Sequence, residues 1–69
     1  MSEVVEQFLR NLERERSEED AIAACCELAA QHQTGNESEL TRLQARFHRA
    51  KARWLREFAT LCRQIEDPA

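Results

Sequence analysis

Five side chains of this 69-residue chain could do nucleophilic or metal chemistry near neutral pH: Cys25, Cys26, Cys62, His32 and His48. Zinc would ask for paired cysteines in C-x-x-C spacing or histidines one helical turn apart on one face, and neither pattern is present. Adjacent Cys25 and Cys26 point about 100° apart if the segment is helical. Nucleophilic catalysis would need a serine or thiol beside a base that a third group orients, and no His-Ser-Asp or Cys-His arrangement is in place. Carboxylates come in solvated runs such as Glu18-Glu19-Asp20 rather than as isolated pairs in an apolar setting. The chain is therefore expected to be no enzyme and to hold no metal or cofactor.

Composition explains why chemistry is scarce. One Gly, one Pro, 33% charged residues and abundant Ala, Leu, Arg and Glu belong to long helices, and strand-forming residues are few. At this length one core seldom suffices without a disulfide, a metal or a partner chain. An odd number of cysteines argues against a disulfide framework and for a reducing cytoplasm. No signal segment, lipidation motif or membrane-spanning apolar run is read, so the protein is expected to be soluble and cytoplasmic. Nine arginines against one lysine, with ten alanines, fit a GC-rich genome such as that of a bacterium or its phage.

The elements follow from caps and periodicity. Ser2 with Glu3 and Glu6 behind it starts a helix that runs to about residue 33. A turn at about 34–36 follows, with Gly35 as the left-handed stop and Asn36 capping a second helix over about 37–66, which Asp67-Pro68 ends. Ser17-Glu18-Glu19-Asp20 also reads as a cap that would split the first helix into two. No Gly or Pro accompanies it, so a continuous helix is preferred. The fold class is all-α: a single domain over 1–69, an antiparallel two-helix hairpin dimerising into a four-helix bundle.

Apolar residues set the register. Ile65 falls opposite Val4 or Val5, Leu61 opposite Phe8, Phe58 opposite Leu12, Phe47 opposite Ile22, Leu43 opposite Cys26 and Leu40 opposite Ala29, residue numbers adding to about 69. Charge agrees: the half through Thr34 carries eight acids and three bases, and Leu40 to Arg56 carries six bases and no acid. Lys51 is expected to meet Glu18 or Glu19.

The second helix sorts into three stripes. The large apolar one, Leu40, Leu43, Phe47, Ala50, Trp54, Phe58, Leu61 and Ile65, is expected to be the seam within the hairpin. Trp54, opposite Glu15 and Arg16, would stack on Arg16 or protrude as an anchor for a partner. A stripe of smaller side chains, Ala45, His48, Ala52, Leu55, Ala59 and Cys62, keeps a strict heptad. With Ala24 and Leu28 of the first helix, it is expected to be the dimer seam. A third stripe, Arg42, Arg46, Arg49, Arg53, Arg56 and Arg63, is expected to be solvated or internally salt-bridged. Its members Arg42, Arg46, Arg49 and Arg53 are, with Trp54, the candidate residues for binding a partner.

In layout alone the chain resembles small helical hairpins that dimerise into four-helix bundles, including plasmid RNA-binding hairpins and small co-chaperones of type III secretion. The resemblance covers the helix-turn-helix plan and no diagnostic motif, and no family is assigned. The expected function is a dimeric helical adaptor that binds and regulates, inhibits or chaperones a larger protein. The alternatives are an RNA- or DNA-binding dimer that uses the arginine stripe, with nucleic acid the less favoured partner, and an obligate small subunit of a heteromeric complex.

Overall fold

A computed structural model of the chain describes residues 2–66, so Asp67-Pro68, the expected terminator of the second helix, lies outside the described residues. Helix α1 spans Glu3–Gln31 and helix α2 spans Gly35–Glu66. They pack side by side in a rod with extents of 50 × 16 × 12 Å. The Ser2 hydroxyl accepts from the Val5 amide at 3.2 Å, and Glu3 and Glu6 occupy the first turn, where the helix dipole favours negative charge. α1 runs unbroken through Ser17. At its end the His32 amide donates to the Ala29 carbonyl at 3.0 Å and the Gln33 amide to the Ala30 carbonyl at 3.3 Å, and the chain reverses through 32–34. Gly35 has φ +61°, the left-handed conformation that a side chain would resist. α2 thus begins at the glycine itself, two residues ahead of the sequence-based boundary. The buried Ser38 hydroxyl donates to the Ala30 carbonyl at 3.0 Å and ties the two helices together next to the turn.

The axial register agrees with the sequence-based pairing. Ser38 reaches Ala30, Arg49 reaches Asp20 and Lys51 reaches Glu19, all close to the expected sum. Rotation about the helix axes does not agree. The buried residues of α2 are Ser38, Ala45, Ala52, Leu55 and Ala59, with Thr41, His48 and Cys62 half-buried between or beyond them. This is one heptad, and it is the small-residue stripe. On α1 it meets Leu9, Leu12, Ala23 and Ala30, with Val5, Arg16, Glu19 and Cys26 half-buried along the same line.

Two corrections follow. Ala45, His48, Ala52, Leu55, Ala59 and Cys62 face α1 of their own chain, not a second copy, because small side chains let the two helices of the hairpin approach closely. Leu40, Leu43, Phe47, Trp54, Leu61 and Ile65 are exposed, and of the large stripe Phe58 alone is drawn partly into the core. The core itself is a cluster of Leu9, Leu12, Leu55 and Ala59, flanked by Val5, Phe58 and Cys62 at the open end of the hairpin.

Candidate interaction faces

With the seam fixed, each helix has two flanks, and in an antiparallel pair like flanks lie on the same side. One side is charged. Glu6, Glu13, Asp20 and Glu27 recur every seventh residue along α1, and Arg42, Arg49, Arg56 and Arg63 recur every seventh along α2. Arg49 bridges the two helices, to Asp20 at 2.9 Å and to Glu27 at 2.7 Å. Its guanidinium is held above its ordinary pKa by the hydrogen bond to Glu27, then by that to Asp20. Within α1, Arg16 bonds Glu13 and also Asp20, the latter at 2.8 Å. The hydrogen bond from Arg16 lowers the Glu13 pKa. Arg42, Arg46 and Arg53 make no ion pair among the described residues and are exposed. The arginine stripe thus divides into one internally bridged member and several free ones.

A polar layer crosses the seam at mid-height. His48 Nδ1 meets Glu19 Oε2, and Lys51 Nζ lies 3.1 Å from Glu19 Oε1. Glu19 has its pKa lowered chiefly by the hydrogen bond to His48, with Lys51 adding to the effect against partial burial.

The opposite side is mainly apolar, crossed at mid-height by Glu15, Glu18 and Lys51. Phe8 of α1 packs edge-on against Phe58 of α2, ring centroids 6.1 Å apart, and Trp54 stacks on Phe58 at 5.3 Å and 11°. Trp54 therefore protrudes and stacks on an aromatic ring. Around these rings, exposure reaches 62% at Phe47, 57% at Trp54, 54% at Leu61 and 77% at Ile65, with Leu40 on the same helix and Val4 and Ile22 across the seam also open. Toward the turn, Ile22, Cys25, Ala29 and Gln44 line a shallow groove of about 530 Å3. Taking ~200 Å2 for a fully exposed large side chain, the face leaves on the order of 1,000 Å2 of apolar surface uncovered. Isolated proteins seldom expose a contiguous apolar patch beyond roughly 300–600 Å2. Leu28 and Leu43 are also exposed, but lie beside this face at the back of their helices, and Ala24 is exposed as well.

The groups singled out for chemistry are dispersed. Cys25 is exposed on the apolar face, Cys26 and Cys62 are half-buried along the seam, and all three thiols are free. His32 caps α1 and His48 is engaged with Glu19. Among the described residues no three His, Cys, Asp or Glu side chains are grouped to hold a metal ion, and no helix is long and apolar enough to cross a membrane. No protein-family model matches the chain, and no match is found among curated proteins or solved structures.

Proposed function

We propose that this chain is a non-enzymatic protein-interaction module, a helical hairpin that dimerises through its apolar face into a four-helix bundle and, as that dimer, binds a larger protein that it regulates, inhibits or chaperones. The observation that carries this reading is the uncovered face built on Phe47, Trp54, Leu61 and Ile65, opposite a flank that is charged throughout. A hairpin whose own seam is lined largely by alanine buries little apolar area, and covering a second face supplies what the first lacks. A standard stable interface buries about 800 Å2 per partner, which this face can provide. Three free thiols fit a reducing, cytoplasmic setting. Arg42, Arg46 and Arg53, unpaired on the outward flank, suit an acidic protein surface, whereas the acids interleaved beside them would repel a phosphate backbone.

Sedimentation of the full chain from about 1 to 100 µM tests the self-association, because an interface of this size holds at micromolar concentration or below. The expected result is a dimer mass across the range. A monomer throughout would remove the proposal.

A further inference from the structure

We propose that the two copies meet with their turns at the same end, α1 of each lying antiparallel on α2 of the other, and that a Lys51–Glu18 charge layer selects this arrangement. The inference rests on the self-association proposed above and specifies its geometry.

On each helix the apolar face is itself a heptad row. In α2 it runs through Phe47, Lys51, Trp54, Phe58, Leu61 and Ile65, and in α1 through Val4, Phe8, Asn11, Glu15, Glu18 and Ile22. The single lysine of the chain thus interrupts one apolar row, and Asn11, Glu15 and Glu18 interrupt the other, Glu18 at the height of Lys51. Two faces of this kind close by a two-fold axis in one of two ways. An axis parallel to the helices preserves height, so the sum near 69 that governs pairs within the chain also governs pairs between copies. Phe47 then falls on Ile22 of the partner subunit and Leu61 on Phe8 of the partner subunit. Ile65 meets Val4 of the partner subunit, Leu40 meets Ala29 of the partner subunit, and Lys51 meets Glu18 of the partner subunit. These four pairs set apolar on apolar and the one cation meets an anion, twice in the dimer, while Trp54 falls on Glu15 of the partner subunit and Phe58 on Asn11 of the partner subunit.

An axis perpendicular to the helices lays α2 on α2 with the turns at opposite ends. Lys51 then faces Lys51 of the partner subunit and Glu18 faces Glu18 of the partner subunit. Like charges are set together, which is unfavourable. Sliding the copies to escape these clashes uncovers one end of the face. A parallel axis permits no sliding, since two-fold closure fixes both copies at one height. The charges in the rows therefore act against the wrong partner arrangement as much as they support the right one.

The test uses the full chain. When 14N- and 15N-labelled protein are mixed and treated with a carbodiimide, a peptide pair joining Lys51 to Glu18 with one light and one heavy member is expected. In a second measurement, spin labels are placed at Asn36→Cys in one variant and Glu3→Cys in another, each carrying Cys25→Ser, Cys26→Ala and Cys62→Ala with helicity checked. Both should give label separations below about 30 Å, the width of a bundle with helices ~10 Å apart. A dimer mass with separations near the 50 Å length of the hairpin would overturn the arrangement and leave the dimer standing. So would a dimer that yields no mixed-isotope Lys51–Glu18 pair. A monomer in sedimentation would overturn both.

Discussion

Phe47→Ala separates the folding of the hairpin from its association. In the isolated chain the ring is 62% exposed and sits away from the Leu9, Leu12, Leu55 and Ala59 cluster, so its removal withdraws little from the monomer. An unfolding free energy within about 1 kcal/mol of wild type is expected below the dissociation midpoint. Association is another matter. With ~200 Å2 for a whole phenylalanine side chain, about 120 Å2 remains to be covered, worth ~3 kcal/mol at 25 cal/mol per Å2. Each dimer loses the group twice, giving ~6 kcal/mol as an upper figure. Relaxation of neighbours and the partial compactness of the reference state reduce it, so a rise of at least about 1,000-fold in Kd is the working value. Sedimentation equilibrium gives the dissociation constant, and urea melts at two protein concentrations give the linkage: wild-type midpoints should rise with concentration and those of the variant should not. The reasoning is refuted if Phe47→Ala unfolds the monomer by several kcal/mol. An unchanged dissociation constant would refute it equally.

Leu55→Ala should do the reverse, destabilising the hairpin itself by about 2–5 kcal/mol in denaturant melts, because Leu55 is 5% exposed within the core cluster. Gly35→Ala should cost about 1 kcal/mol in the same assay, since the site is open in space and the penalty is that of a side chain at φ +61°. The His48 hydrogen bond and Lys51 lower the Glu19 pKa in the folded state, so this carboxylate stabilises the fold above its unfolded pKa. That contribution is lost as pH falls through the lower folded value. Glu19→Gln should flatten the acid limb of stability against pH below about pH 4.3, and an acid limb parallel to wild type would remove Glu19 as its cause.

Helix number, turn position and axial register were legible because they depend on features that do not average out: a cap at Ser2, one glycine, and charge blocks of opposite sign in the two halves. The sequence misleads on rotation because two stripes on α2 both carry three-and-four spacing, and size favours the one with Phe47, Trp54 and Leu61. In a hairpin this thin the opposite holds. Alanines permit close approach, and large groups at a two-helix seam would splay it while still leaving half of each ring wet. The sequence did contain a discriminating signal. Glu6, Glu13, Asp20 and Glu27 recur strictly every seven residues, as do Arg42, Arg49, Arg56 and Arg63, and matched rows of opposite charge flank a seam rather than lie in one. Those rows point to Ala45, Ala52 and Ala59 as the inner line. The sequence places Trp54 protruding or stacked on Arg16; its partner in the structure, Phe58, is one turn along the same helix.

The core cluster lies in the half of the rod toward its open end, while the turn-proximal seam holds little more than Ala23, Ala30, Ser38 and Ala45. This placement dictates an order of events. Pairs next to the turn close the shortest loops and gain the least, and the leucines that gain the most are joined only after most of the chain has been ordered. A hairpin so weighted cannot zip gradually from its turn; the strongest contacts come last, which makes its formation all-or-none. Loss of α2 from Ala59 onward would remove Ala59 and Cys62 from that cluster, and with them the contacts that repay the ordering of everything between.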